Sequence, residues 1–317
     1  MRWARLSVLA IASCGGESGG PYFETEMFFN QLAVDAPVAP DSESILAGLR
    51  GAGGWGHGDR FTISFDFDVL VADGSTPRRA FTPDDEYFYV PDCDHVEVPV
   101  PVQGNLEGEG GYECRNGGDC HLIVHDPEND RLYEMWRANL VDAYFEGGCL
   151  AVWHTSAEYG ESLRGDQCSS ADGAGFPIAP LLFTADEVAA GSIDHAIRFV
   201  LPNDRVRRAF VRPATHGTDT TGPANAPPYG VHLRLRASYP VETLPTEGAR
   251  VVARALQRYG MYHADGGELV LTAQSDRYTT AKWEGLLGEG DLAALQVEDF
   301  EVIDHGPAIP LNFECVR

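Results

Sequence analysis

The chain has 317 residues, of which 48 are acidic and 23 are basic, so its formal net charge is −25. So negative a field repels nucleic acids and anionic lipid surfaces, which argues against a nucleic-acid partner. Hydrophobic residues make up 44% of the chain, an ordinary share for a folded protein. The length is sufficient for one large β domain or two smaller domains.

The N-terminal residues have the pattern of an export signal. Two arginines lie within residues 1–5, and a short apolar run over residues 6–12 leads to Ser13 and Cys14. This pattern is typical of a secretory signal, and the run is too short to span a bilayer, which takes about 20 residues. The tetrad ending at Cys14 resembles the bacterial lipobox, in which the cysteine is lipidated. An ordinary signal cleaved near Ser13 is the alternative.

These features predict a lipid-anchored protein of the cell envelope. We expect a signal peptide over residues 1–13, a flexible Gly-rich tether over 14–24, and a single β-rich globular domain over 25–317. No aspartate directly follows Cys14, which favours an outer-membrane or cell-surface destination. In this interpretation the lipid anchor is the protein's only contact with the membrane.

Six cysteines remain once Cys14 is assigned to lipidation. An even number of cysteines in an exported chain predicts three disulfides, although sequence alone does not fix their pairing. Neither a C-x-x-C pair nor zinc-finger histidine spacing is present, so a zinc site is not indicated. Short loops favour the pairs Cys114–Cys120 and Cys149–Cys168. The two cysteines that remain would then form Cys93–Cys315.

Short segments of alternating or apolar character predict a mostly β fold. One amphipathic helix is expected from Thr246 to Tyr259, a second is suggested around residues 291–295, and residues 21–60 have a loop-like composition. Short strands with few helices favour a β-sandwich or jelly roll with one or two peripheral helices. The predicted strands are 61–73, 87–90, 96–102, 121–125, 132–139, 149–154, 196–201, 209–212 and 231–237.

The segment over residues 119–136 is dense in side chains that catalysts use. On a strand, His121 and His125 lie on one face, as do Glu134 and Trp136, because side chains alternate. A carboxylate beside an exposed tryptophan is a frequent arrangement in sugar sites. We therefore take His121 and Glu134 as acid/base candidates, and His125 and Trp136 as substrate-binding candidates. Surface histidines and a core tryptophan are the alternative.

Two further segments supply acid/base candidates. Residues 169–175 form a loop of small residues directly after Cys168, and Asp172 is the only ionisable group in that loop. It lacks the spacing of a nucleophile elbow or a phosphate loop. His195 adjoins a predicted strand, and histidine can serve as a general base near neutral pH. A tight capping loop and a partly buried histidine are the alternatives.

A third segment suggests ligand recognition. Tyr229 follows two prolines and is a candidate sugar platform, while His232, Arg234 and Arg236 alternate with apolar residues and share one face. Arg234 is suited to an anionic substrate, although pairing with the protein's own carboxylates also explains this row of cations.

No cofactor is predicted, with one qualification for calcium. The turn after residue 125 carries three carboxylates at alternating positions, although it lacks the full calcium-loop pattern. These carboxylates are Asp126, Glu128 and Asp130.

Taken together, these segments resemble a family of secreted bacterial proteins. The resemblance covers residues 119–265 and supports the choice of segments, but it implies no particular reaction. The matching motifs are Asp119 with His121, Leu132–Glu134, Ser170–Gly175, His195–Phe199, Pro227–Arg236 and Tyr259–Asp265.

The leading hypothesis is a surface-anchored lipoprotein that cleaves a polysaccharide by hydrolysis or elimination, with Asp172, Glu134, His121 and His195 as acid/base candidates. The alternative is a non-catalytic carbohydrate-binding or structural envelope lipoprotein. An open cleft lined by these side chains favours the enzyme, whereas their burial in the core favours the alternative.

Overall fold

The computed structural model describes residues 20–317. The expected signal peptide, the lipidation candidate Cys14 and most of the expected tether lie outside the described residues. Within residues 20–317, every helix is too short or too polar to cross a bilayer. Phe23, which falls in the expected tether, is 3% exposed and packs against Phe29 and Trp153.

The fold is mostly β with few helices, as predicted. The helices are α1 (Ser42–Gly51), α2 (Gly56–Asp59), α3 (Ala185–Ala190) and α4 (Glu247–Arg258). The strands are β1 (Ile63–Phe67), β2 (Val69–Val71), β3 (Arg78–Arg79), β4 (Thr82–Pro83), β5 (Val98–Pro99), β6 (Leu122–Asp126), β7 (Arg131–Met135), β8 (Asn139–Val141), β9 (Tyr144–Gly147), β10 (Leu150–His154), β11 (Ile197–Leu201), β12 (Ala209–Phe210), β13 (His232–Leu235), β14 (Met261–Gly266), β15 (Leu271–Gln274), β16 (Phe300–Val302) and β17 (Ile309–Pro310).

The largest sheet has six strands in the order β1-β15-β11-β14-β13-β16. It is mixed: β1 runs parallel to β15 and β11 parallel to β14, while β13 is antiparallel to both of its neighbours. All five residues of β11 are buried. Because Arg198 lies inside this strand, its guanidinium must find partners within the protein.

A second sheet, in the order β10-β7-β6-β2, separates two hydrophobic cores. Ile123, Leu132 and Trp153 belong to the large core that includes residues of the six-stranded sheet. Val124 and Tyr133 belong to a smaller core on the other side. The alternation of side chains along each strand therefore gives this sheet two buried faces.

The three disulfides are Cys93–Cys149, Cys114–Cys120 and Cys168–Cys315. The prediction for the short Cys114–Cys120 loop is confirmed, and the other two predicted pairs are wrong. Tertiary strand contacts decide those two pairs. The N–H of Asp94 bonds to the carbonyl of Leu150, which brings Cys93 beside Cys149. The N–H of Val316 bonds to Asp166, which brings Cys315 beside Cys168.

Three secondary-structure predictions are also wrong. Residues 87–90 form turns, because the N–H of Phe88 bonds back to the carbonyl of Asp84. Residues 291–295 likewise form turns where a helix was suggested. The loop-like segment 21–60 contains α1, whose Ile45, Leu46 and Leu49 are buried at helical spacing.

We predict that the double substitution Cys93→Ser/Cys149→Ser lowers the free energy of unfolding more than Cys114→Ser/Cys120→Ser does. The first pair closes a separation of 56 residues and the second a separation of 6. Loop-closure entropy then gives losses of about 4 and about 2 kcal/mol, respectively. Urea unfolding of both variants and the unmodified chain measures this difference, and an equal or reversed order would contradict it.

Candidate functional site

Glu134 on β7 is a fully buried carboxylate held by three N–H donors. These donors are the backbone of Ile178 and Ala179, at 2.8 Å each, and the indole of Trp153, at 3.0 Å. Burial raises the pKa of Glu134 to about 7, and the three hydrogen bonds oppose that rise. Glu134 therefore fastens the segment at 178–179 to the four-stranded sheet.

Asp172 and Asp265 share the guanidinium of Arg198. Arg198 Nε and Nη2 donate to Asp172 Oδ1 at 3.0 and 2.7 Å, and Nη2 also donates to Asp265 Oδ2 at 3.4 Å. Burial raises the pKa of the Asp172 carboxyl, and the attraction of Arg198 opposes the rise. Within residues 20–317, Asp172 Oδ2 is a buried atom without a hydrogen-bond partner. The Asp265 side chain is partly exposed, at 26%.

His121 contacts an acceptor with each ring nitrogen. Its Nδ1 lies 2.6 Å from the Glu107 carboxylate and its Nε2 lies 3.1 Å from the carbonyl oxygen of Ala171. Satisfying both acceptors requires the doubly protonated imidazolium. Burial disfavours this charged form, but Glu107 outweighs burial and raises the pKa of His121 to about 9.

Three of the predicted acid/base residues therefore come together between the two large sheets. His121 contacts the residue that precedes Asp172, and the charges of Glu134 and Asp172 interact. Tyr229 lies beside them, since a Cβ on Gly173 would be 3.1 Å from its ring. All four are buried, however, with exposures of 7% for His121, 0% for Glu134, 1% for Asp172 and 0% for Tyr229. They form a closed polar cluster.

His195, the fourth acid/base candidate, lies apart from this cluster. Its Nδ1 lies 2.8 Å from the carbonyl of Ala196 and its Nε2 lies 3.3 Å from the Glu187 carboxylate. The side chain is 3% exposed and forms part of the wall of a cleft of about 780 Å³ that Asp194 and Arg258 also line. Both ring nitrogens are thus occupied by the protein itself.

The remaining predicted binding residues also have internal partners. Arg234 donates to Glu301 at 2.8 and 2.6 Å, and to backbone carbonyls of residues 33–36. Arg234 is 8% exposed, so pairing with the protein's own groups accounts for it. His125 is half-buried and packs edge-on against Tyr22, at 5.2 Å between ring centroids. The Tyr229 hydroxyl bonds with Thr218 at 2.8 Å.

The three carboxylates proposed for calcium do not come together. Asp126 accepts both of its hydrogen bonds from the Asn129 side chain and lies 3.6 Å from Arg78. Among residues 20–317, each group of three or more His, Cys, Asp or Glu side chains close enough to share an ion contains two disulfide-bonded cysteines. Their sulfurs are not thiolates, so these groups are poor metal ligands.

Trp136 is a predicted binding residue that is partly exposed beside other polar surface groups. It is half-buried, and its indole N–H donates to the exposed carboxylate of Asp119 at 2.7 Å. The Tyr87 ring contacts it edge-on at 5.3 Å, and the Arg137 guanidinium lies 4.0 Å from the Tyr87 ring centroid. We call Trp136, Tyr87, Arg137 and Asp119 the Trp136 platform.

Backbone hydrogen bonds to two disulfide-bonded cysteines hold this platform in place. The N–H of Trp136 bonds to the carbonyl of Cys149 at 2.9 Å, and the N–H of Ala138 bonds to the carbonyl of Cys120 at 3.0 Å. Between them, Arg137 has a φ of 56°, the left-handed conformation that non-glycine residues seldom adopt. The turn therefore presents its side chains from a rigid support.

Sequence reasoning missed the roles of Arg198, Asp265 and Glu107. A signal for Arg198 was present, because a single charge within the apolar run 197–201 requires a buried counterion. Asp265 lies at the end of β14 beside β11, a neighbour relation that only the sheet order reveals. Glu107 lies in a loop outside regular structure, and no periodicity marks it.

No protein-family model, curated protein or solved structure matches the chain.

We predict that stability falls with rising pH through the titration of His121. Its folded pKa of about 9 lies above the unfolded value of about 6.5. The stabilisation is therefore complete below about pH 6.5 and is lost as the pH rises through about 9. In Glu107→Gln, burial acts without the opposing carboxylate and this loss disappears.

Urea unfolding at about pH 6 and about pH 10 tests this prediction. The unmodified chain should lose more free energy of unfolding between the two pH values than Glu107→Gln does. Equal losses in the two proteins would contradict the assignment of a charged His121.

Proposed function

We propose that the protein is a non-catalytic carbohydrate-binding lipoprotein of the cell envelope, and that the Trp136 platform holds the sugar. The observation that carries this proposal is the half-buried Trp136, whose indole N–H donates to the exposed Asp119 carboxylate. The lipid anchor and the envelope location rest on the N-terminal sequence pattern described above.

The chemistry of the platform suits a sugar ring. A pyranose has apolar C–H faces that pack on an aromatic ring, and hydroxyls at its edge that need hydrogen-bond partners. Trp136 supplies an apolar surface with a polar tip. Asp119 supplies an acceptor and Arg137 supplies donors at the rim, which is the mixture of aromatic and polar groups typical of small-molecule sites.

The burial of the polar cluster supports binding over cleavage. A general acid or base must come within about 2.6–3.2 Å of the proton that it transfers. Glu134 and Asp172 are 0% and 1% exposed, and protein groups occupy their hydrogen-bonding positions except Asp172 Oδ2. A polysaccharide chain does not reach these atoms in this arrangement, so a structural role accounts for them.

Polysaccharide cleavage is a second candidate, which one specific observation favours. Asp172 Oδ1 and Asp265 Oδ2 both contact Arg198 Nη2, at 2.7 and 3.4 Å. The carboxyl groups of retaining glycosidases lie about 5–5.5 Å apart, a spacing that this shared contact permits. Asp265 is partly exposed, but Asp172 is sealed. This mechanism therefore requires the loop at 169–175 to open.

We predict that Trp136→Ala lowers affinity for a bound polysaccharide by about tenfold or more, because buried aromatic anchors dominate binding energy. The measurement is titration calorimetry on whichever of a panel of neutral and acidic polysaccharides the unmodified chain binds. Tyr144→Ala is the matched control, since Tyr144 is an exposed aromatic residue, at 49%, outside the platform. Unchanged affinity in Trp136→Ala would remove the platform from the account.

We predict no new reducing ends and no unsaturated products when the purified chain is incubated with the polysaccharides that it binds. Asp265→Asn should leave their affinity unchanged, because Asp265 lies outside the platform. If the unmodified chain releases product and Asp265→Asn does not, the second candidate replaces the first. Circular dichroism of Asp265→Asn confirms that the comparison is made on folded protein.

A further inference from the structure

An arginine-rich cleft lies beside β10, the edge strand of the four-stranded sheet. Its volume is about 400 Å³, which is within the size range of small-ligand sites. Such a concentration of cations is unexpected in a chain whose net charge is −25. The arginines that line the cleft are Arg78, Arg131, Arg164 and Arg317.

Asp94 is the single Asp or Glu among the described residues that line the cleft. Its Oδ2 accepts from Arg164 at 2.7 Å and from the N–H of Val152 at 2.8 Å, while its Oδ1 accepts from Arg317 at 2.7 Å. Asp94 therefore organises two of the arginines but balances only one positive charge. The lining of the cleft remains cationic.

Arg131 is the most available of these cations. Its Nη1 donates to the backbone carbonyls of Asn129 and Asp130 at 3.1 and 2.9 Å. Within residues 20–317, no carboxylate lies within ion-pairing distance of Arg131. Arg78 is more loosely neutralised than Arg164, since Asp126 lies 3.6 Å away and the Arg78 side chain is 41% exposed.

The side chains around these arginines are suited to an oxyanion. A guanidinium presents a planar fork of N–H donors that matches the oxygens of a carboxylate or a sulfate. Tyr133 accepts a hydrogen bond from Arg78 and so fixes the direction of that guanidinium. Arg164 Nε is a buried donor without a hydrogen-bond partner among the described residues. The cleft thus offers guanidinium donors that the protein's own groups hold in place.

We propose that this cleft binds the carboxylate or sulfate group of an acidic polysaccharide. The arginines indicate that the ligand is an anion, whereas its assignment to a polysaccharide rests on the proposed function. Arg234, the residue first considered for this role, is fully occupied by Glu301 and backbone carbonyls. Arg131 begins β7 and Trp136 follows its last residue, about 16 Å away along the strand, so each can be altered separately.

The test compares dextran sulfate and polygalacturonate with uncharged dextran by titration calorimetry. We expect the charged polymers to bind the unmodified chain more tightly, with an affinity that falls as sodium chloride is added. Arg131→Gln should weaken binding of the charged polymers by about tenfold, the effect of losing one charge-assisted hydrogen bond. Arg115→Gln makes the same charge change at an exposed arginine paired with Glu113 and should have no effect.

Inorganic sulfate separates the cleft from the platform. We expect sulfate to raise the melting temperature of the unmodified chain and of Trp136→Ala more than that of Arg131→Gln, at matched ionic strength. Equal effects of Arg131→Gln and Arg115→Gln on every anion would overturn the cleft. Sulfate binding that depends on Arg131, without binding of either charged polymer, would overturn the sugar assignment. If the unmodified chain binds the charged polymers but not the neutral ones, that result would count against the platform and would leave the cleft assignment in place.

Discussion

The ion pair between Arg198 and Asp172 is the constraint on which the arrangement of the large core depends. Arg198 lies inside β11, a strand whose residues are all buried, so its charge cannot be solvated by water. Removing one partner of such a buried pair costs about 3–5 kcal/mol. The loop at 169–175 and the end of β14 must therefore both reach Arg198, which fixes their positions relative to the central strand. Consistent with this positive centre, burial and then Arg198 help to lower the pKa of the nearby His263 to about 3.

The same principle explains the rest of the polar cluster. Glu134 receives the N–H groups of 178–179, and the His121 imidazolium joins Glu107 to the carbonyl of Ala171. Each buried charge is thus paired with a group from a segment distant in sequence. The segment that contains Ala171 and Ile178 is thus bonded to Glu134 of the four-stranded sheet and, through Asp172, to Arg198 of the six-stranded sheet. A cluster that fastens the fold in this way has little freedom to serve a substrate, and the proposed recognition lies instead at the ends of β7.

Local pattern was enough to predict the mostly β fold, the amphipathic helix α4 and the shortest disulfide. It also identified Trp136, His121, Glu134 and Asp172 as candidate site residues, but it did not predict that the last three lie together. It did not predict their burial, since alternation shows which residues share a face but not whether a second sheet covers that face. Covering by the six-stranded sheet and by the smaller core gives the β7 strand two buried faces.

The longer disulfides and the arginine-rich cleft lay beyond sequence reasoning for a related reason. Cys315 and Arg317 come from the C-terminal segment, whose course beside residues 165–168 is set by tertiary contacts. Arg78 and Arg131 are 53 positions apart, and no spacing rule connects them. Charged residues that look solvated one at a time become a site only when the fold brings them together.

The central claim is that sugars bind at Trp136 and do not contact the buried polar cluster. Side-chain indole N–H resonances test it within one spectrum, because Trp136 donates to exposed Asp119 and Trp153 donates to buried Glu134. During titration with a bound oligosaccharide, the account predicts a shift of the Trp136 indole resonance, with Trp153 unmoved. A shift of the Trp153 resonance with Trp136 unmoved would contradict the account and place the ligand at the buried cluster.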